Sequence, residues 1–354
     1  MARENLVQKQ GLSENAMNIC LVGNFSGNLD EGMKIVGQCL ASELSKTHKV
    51  LKLSILETLN PKAMRRLIAF HPNILHYVPG PSPFSFTILR YLSLSQKLTG
   101  NPLCKTVMSA TQPWLPLNAI SFCKRLKPDL MLAQSDAYER YFKGLGFTVQ
   151  YLPNGVDINR FRPVENSQKK NLRKKHGLAQ DKFVVLHVGP IRASRGLDVM
   201  KSVARIQNCT ALIVGGTTSP PERKMFADLV KKGCIVWRKY VQSIHEIYQL
   251  SDLYVFPVED ALGCIDMPLS ILEAMACNLP VITTRFGGFP RLFAEGDGFE
   301  YVKNRHQIPQ KTEALIGCGL SPDVQTRMKV LPYSWHNISR TLSQNYHELL
   351  SKKS

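Results

Sequence analysis

From Asn18 onward, short apolar runs alternate with amphipathic stretches, and the alternation stops once and starts again. Residues 18–22 predict a buried strand, a loop holding Gly23 and Gly27 follows, and 33–45 has helical spacing. Further strands are predicted at 50–55, at 73–78 before the proline-rich segment 79–83, at 130–134 and at 148–152. A charged stretch of low hydrophobicity then covers 163–175. Beyond it, strands are predicted at 183–188, 211–214, 234–237, 253–257 and 280–283, with helices at 199–205 and 269–276 and a turn at Gly287 and Gly288. Near the end, Trp335, Ile338, Leu342, Tyr346 and Leu349 recur every three or four residues and mark one apolar face of a helix.

Strand-like runs alternating with amphipathic helices build βαβ units around parallel sheets. Two such blocks predict two Rossmann-like α/β domains, residues 16–165 and 181–333, divided within the charged stretch. In open parallel sheets ligands sit beyond the carboxyl ends of the strands, so the cleft between the two domains is the expected site. The same architecture serves dehydrogenases, epimerases, binding proteins and transferases, and the pattern does not choose among them.

Composition narrows the choice. At 354 residues the chain exceeds one comfortable hydrophobic core, and 44% hydrophobic with 20% charged residues is ordinary for a folded protein in water. The opening fifteen residues lack the basic start and apolar run of an export signal, and no apolar run approaches membrane-spanning length, so a cytoplasmic protein is expected. The nine cysteines show no C-x-x-C pair or metal-ligand spacing, and Cys20, Cys39 and Cys209 are expected to be small core fillers. The formal charge of +18 suits an anionic partner, whether a nucleotide diphosphate or an anionic lipid surface. Basic clusters stand at Arg65 with Arg66, at Lys124, Arg125 and Lys127, and over 169–175, each of which also fits a plain solvated face. Nucleic acid is not expected, because no helix-turn-helix or aromatic-interleaved basic strand is present.

Several blocks, in order, are similar to one family. Leu152-Pro153-Asn154-Gly155-Val156-Asp157 with Phe161 and Pro163, Asp30-Glu31-Gly32-Met33-Lys34, and His187-Val188-Gly189 leading to Arg195-Gly196 are three of them. The fourth runs from Ser251-Asp252-Leu253 through Leu272-Glu273-Ala274-Met275-Ala276 to Pro280-Val281-Ile282. Together they resemble glycosyltransferase family 4, retaining enzymes of the GT-B fold. That resemblance implies two facing Rossmann-like domains, the first binding acceptor and the second a nucleotide sugar. It also implies that the helix at 334–354 crosses back onto the first domain.

The resemblance assigns provisional roles to particular residues. Arg195 and Arg192, just past a strand end, are expected to meet the charge that grows on a departing diphosphate. Glu273 stands in an otherwise apolar helix and needs a partner there, and in the family this position accepts hydrogen bonds from the donor ribose. Gly189, Gly215, Gly287 and Gly288 are expected near the donor. Gly23 and Gly27 fit either a backbone approach to the donor or a simple turn. His76 fits either a polar group aimed into the cleft or a histidine satisfied at a strand end, while His187, in an apolar strand, fits a structural role. Asn154 and Gln112 complete the candidates for sugar or acceptor contact.

The sequence departs from the family at three places. Of the usual two glutamates only Glu273 is present; the first position is Ile265, with Asp266 beside it as the candidate replacement. Pro190 replaces the basic residue expected after the phosphate-loop glycine, which leaves Arg192 as the candidate substitute. Ala110-Thr111-Gln112-Pro113 stands where many members place a histidine.

The implied reaction is transfer of a hexosyl-type unit from a nucleotide diphosphate sugar to an acceptor hydroxyl, with retention and with no protein nucleophile. No cofactor and no metal are expected, as there is no convincing D-x-D. Two alternatives remain open: a sugar-nucleotide epimerase, and a degenerate domain that binds nucleotide or anionic membrane without turnover.

Overall fold

The computed structural model describes residues 16–27, 31–112, 115–217, 220, 222–260, 264–318 and 323–352. Asp30, Pro113 and the opening fifteen residues, all used above, lie outside them.

Strands β1 (Asn18–Gly23), β2 (Lys49–Ser54), β3 (Ile74–Gly80), β4 (Lys105–Ala110), β5 (Leu130–Ala133) and β6 (Val149–Tyr151) form one parallel sheet in the order β2-β1-β3-β4-β5-β6. Strands β7 (Phe183–Val188), β8 (Cys209–Gly215), β9 (Ile235–Arg238), β10 (Leu253–Phe256), β11 (Val281–Thr284) and β12 (Phe299–Val302) form the second, ordered β12-β11-β10-β7-β8-β9. Helices cover both faces of each sheet, which is why the central strands are continuous apolar runs: Ile19 to Val22 and Val184 to Leu186 are inaccessible to solvent. The strand order reverses once in each sheet, between β1 and β3 and between β7 and β10, and such reversals open a crevice at the carboxyl edge. The architecture is the GT-B fold.

The closing helix, Trp335–Ser351, starts at Ser334, whose hydroxyl accepts a hydrogen bond from the Asn337 amide. Its apolar face, Trp335, Ile338, Leu342, Tyr346 and Leu349, is buried against Val36, Leu40 and Leu44 of the helix Gly32–Leu44 and against Ile19 and Leu21 of β1. The chain therefore ends on its first domain, as the resemblance implied. Among the described residues no helix is long and apolar enough to cross a membrane.

The charged stretch that pattern alone treats as a boundary folds as the helix Asn166–Lys175, packed on the second domain. Its polar composition hides a buried anchor. Arg173 pairs with Asp252 at the foot of β10 and donates to the Leu250 carbonyl at 2.9 Å, while Lys169 holds the other carboxylate oxygen of Asp252 at 2.6 Å.

Candidate functional site

The two carboxyl edges face one another across a cleft with about 1050 Å³ of free space. The first domain contributes Ile35, Gln38 and Cys39 from the helix Gly32–Leu44, and the crossover supplies Asp157 and Arg160. From the second domain come Gly189 and Pro190 after β7, Gly215 and Gly216 at the end of β8, Lys239 and Tyr240 after β9, and Glu273 from the helix Leu269–Ala276. Trp335 of the returning helix closes one wall.

Glu273 sits half-buried, where its helix meets the cleft. The Tyr248 hydroxyl donates to its Oε2 at 2.7 Å. Burial pushes the carboxyl up to about 7, with the Tyr248 bond and the charge of Arg160 opposing the rise. Arg160 is held by a bond to the Gln242 carbonyl at 2.6 Å.

Behind the Gly189 wall lies a second polar group. Arg195 is 8% exposed; its Nη1 donates to the Cys264 sulfur at 3.1 Å, and its Nε has no partner among the described residues. The loop that brings it there turns at Gly196, where φ is +66° and a Cβ would stand 2.4 Å from the Pro257 carbonyl oxygen. His187 adjoins it. The Val255 carbonyl, 3.0 Å from Nδ1, fixes the proton on that nitrogen, so Nε2 is an acceptor, and it too is buried without a partner among the described residues. Burial holds this imidazole down to about 3, and hence neutral. A Cβ built on Gly189 would lie 3.2 Å from His187 Nε2 and 3.5 Å from Arg195 Nη1, so the space above that glycine is within reach of the guanidinium.

The structure thus gathers Gly189, Gly215 and Glu273 on the cleft wall, with Arg195 immediately behind. It places the other candidates elsewhere. His76 is a correction: it is wholly buried, with Nδ1 2.6 Å from the Tyr346 hydroxyl and Nε2 2.8 Å from the Ser109 hydroxyl, so it ties the returning helix to the first sheet. Arg192 is exposed and outside the cleft, so it does not restore the charge absent at Pro190 in this arrangement. Gly23 faces the ring of Phe25 within its own loop, and Gly27, at φ +78°, makes a turn. Gln112 is exposed outside the cleft.

Four further candidates belong to the seam between the domains. A Cβ on Gly287 would stand 1.9 Å from the Asp266 carbonyl oxygen, and one on Gly288 2.0 Å from that of Gln134; these glycines admit protein rather than ligand. Asn154 accepts from Gln134 Nε2 and donates to the Met267 carbonyl, both at 2.7 Å, and so links the two bodies. Asp266 receives a bond from Ser135, and its Oδ2 is buried without a partner among the described residues. It is therefore sealed in the seam and not offered to a sugar. On the same seam Arg291 holds Asp136 at 2.7 Å and Glu139 at 2.6 Å and lies 3.6 Å over the Tyr151 ring.

Burial pushes Asp266 up to about 6, above its ordinary carboxylate value. A raised acid pKa favours the folded state fully below the unfolded value, and that contribution is lost as pH rises through the folded one. Asp266→Asn is therefore expected to raise the melting temperature relative to the unaltered protein at about pH 8 and to change it little at about pH 4, read by calorimetry. A constant difference across that range would remove the buried charge as its cause.

Asp157, Arg160, Lys239 and Tyr240 were not among the sequence candidates. Asp157 at least lay inside the hinge block whose order was noted; the others sit in loops with no periodicity to mark them.

Residues 182–317 match the family model described as glycosyl transferases group 1. The match falls on the second domain. Among relatives of this chain, a sulfoquinovosyl transferase of Arabidopsis thaliana is 27% identical over 260 residues, 69% of this chain and 49% of that protein. An alpha-galactosylglucosyldiacylglycerol synthase of Streptococcus pneumoniae is 23% identical over 215 residues, 56% of this chain and 52% of that protein. The chain thus spans about half the length of the curated relatives it matches. Among solved structures, Anabaena HepE in complex with UDP superposes with a TM-score of 0.74 at 14% identity, covering 94% of this chain and all of that one. A sucrose-phosphate synthase of Thermosynechococcus elongatus reaches 0.72 at 16% identity over 95% and 99% of the two chains. At such identity these two likenesses speak for the fold.

Proposed function

We propose that the chain transfers a hexosyl unit from a nucleotide diphosphate sugar to an acceptor hydroxyl with retention at the anomeric carbon. The observation that carries this reading is the pairing, across one cleft, of a carboxyl at Glu273 with an anion-ready group at Gly189 and Arg195. A ribose diol fits the first, because a carboxylate accepts from two hydroxyls. A diphosphate fits the second, because glycine lets it close in and the orphaned Nε–H lacks an acceptor. The HepE structures are complexes with UDP and UDP-glucose, and a Corynebacterium glutamicum relative is named as a GDP-mannose-dependent enzyme, which supports a nucleotide sugar and leaves its base open.

In this reading the acceptor oxygen bonds to the anomeric carbon on the face from which the diphosphate oxygen leaves, and that diphosphate takes the acceptor proton. The protein supplies orientation and fixed positive charge, with Arg195 in the place a divalent cation would otherwise hold. The acceptor is a lipid-linked or glycan hydroxyl bound by the first domain.

Glu273→Ala is expected to weaken nucleotide binding by roughly 1.5–3 kcal/mol, the worth of hydrogen bonds to a charged group. Since the carboxyl titrates near 7, affinity should fall as pH drops below that value, and Glu273→Gln should flatten the profile. Calorimetry with UDP, GDP and ADP checks both; unchanged affinity in a folded Glu273→Ala protein removes the residue from the site.

One observation favours a second reading, a domain that binds without turnover. Ile265 occupies the position of the family's first glutamate, and its Cδ1 would lie 3.1 Å from a Cβ on Gly32, so an apolar side chain meets the first domain there. A panel of radiolabelled nucleotide sugars separates the readings. A transferase moves label to acceptor or slowly to water, and a binding domain leaves the donor intact.

A further inference from the structure

Among the described residues the first domain carries most of the exposed large hydrophobic side chains. Leu56 and Leu59 follow β2, Phe84 follows β3, and Leu117 follows β4; Leu56 is 93% exposed and Leu117 88%. All four stand at carboxyl ends of strands, on the lip of the cleft. From that lip the helix Pro83–Leu98 runs across the outer surface. Its inner face, including Phe86, Leu89 and Leu92, is fully buried in the core. Its outer face is apolar as well: Phe84, Tyr91, Leu94 and Leu98 are exposed at spacings of seven, three and four, a stripe about 21 Å long. The core does not require these side chains, and water disfavours them.

The charge around the stripe has one sign. Between Glu57 and Asp129 the sequence contains no acidic residue and nine lysines and arginines. Arg90 and Lys97 flank the stripe on its own helix, Arg65 and Arg66 lie exposed on the helix Pro61–Phe70, and Lys124 and Arg125 on Ile120–Arg125. Acids return on the next helix, Asp136–Gly144, where Asp136 and Glu139 are engaged by Arg291.

We propose that this face is a membrane-docking surface, with the helix Pro83–Leu98 lying in the plane of an anionic bilayer, its stripe among the acyl chains and its cations among the headgroups. The inference rests on the reading above that the acceptor is lipid-linked, and it adds how such an acceptor reaches the cleft, along the lip at Phe84 and Leu117. A second copy of the chain is disfavoured, because a two-fold contact would bring two like-charged faces together. An anionic bilayer matches both features at once, apolar stripe and cationic rim.

The test is flotation with vesicles of phosphatidylcholine alone and of equal parts phosphatidylcholine and phosphatidylglycerol. Binding is expected to the anionic vesicles and to fade with salt. Tyr91→Asp with Leu94→Asp should lower partitioning roughly a hundredfold, and Arg90→Gln with Lys97→Gln roughly twentyfold. All four positions are exposed, and retained UDP or GDP binding in calorimetry verifies the fold. Equal partitioning onto both vesicles, absence of binding, or binding indifferent to the aspartates would overturn the proposal. So would sedimentation showing a dimer that Leu94→Asp dissociates. Loss of vesicle binding is read with no sugar donor present, so the proposal stands or falls apart from catalysis; failure of the unaltered chain to bind any nucleotide counts against the glycosyl-transfer reading alone.

Discussion

Deletion of residues 334–354 is expected to leave an inactive chain that aggregates. The helix Trp335–Ser351 contributes five large side chains to the core it shares with β1 and the helix Gly32–Leu44. Burying each is worth about 1.5–3 kcal/mol, and the sum rivals the whole stability of a typical domain. The deletion also removes Trp335 from the cleft wall and takes the Tyr346 hydroxyl from His76. Two point variants separate these effects. Leu342→Ala should cost about 2–5 kcal/mol through the cavity it leaves. Tyr346→Phe should cost about 1–3 kcal/mol, because burial holds His76 neutral and one of its nitrogens loses its partner. A truncated chain that stays monomeric, melts as the full one does and retains nucleotide binding would show that the helix is an appendage.

Arg195→Ala is expected to reduce turnover roughly 10²–10³-fold while weakening nucleotide binding much less. The reason lies in what the guanidinium already does. Its Nη1, engaged with Cys264, lies 3.5 Å from where a Cβ on Gly189 would stand, and the buried site screens charge poorly, so a group gaining negative charge over Gly189 feels the fixed guanidinium strongly. The diphosphate gains that charge as the sugar bond breaks, which places most of the benefit in the transition state. Arg195→Lys keeps the charge and loses the fork, so it should recover part of the rate. Kinetics with each donor decide it. Full turnover with only a raised KM would show that the arginine holds the ground state alone.

The order of elements was legible along the chain because each strand and helix reports its own burial. Asn18–Gly23 and Phe183–Val188 are continuous apolar runs because both faces of a parallel strand are covered, and the stripe from Trp335 to Leu349 repeats at the helical period because one side of that helix is buried. Glu273 was legible for a related reason, since a carboxylate in an apolar helix is a local anomaly, while Gly189 was legible through the block that resembles the family's phosphate loop. Which groups meet was not legible. His76 is 270 residues from Tyr346, Asp266 131 from Ser135, and Gly288 154 from Gln134. In sequence a histidine ending its day in a cleft and one satisfied by a distant hydroxyl look alike, and a glycine pair admitting a phosphate looks like one admitting a carbonyl. Arg160 and Lys239 were invisible because an isolated cation in a loop has no period; only the docking of the two sheets made them walls of one cleft. The sequence by itself thus determined two parallel-sheet bodies and an amphipathic closing helix, since local burial suffices for those; the helix's return to the first domain was implied by the family resemblance alone. Tertiary structure decided which polar groups face ligand and which face one another, since that depends on contacts between segments whose separation along the chain carries no local signal.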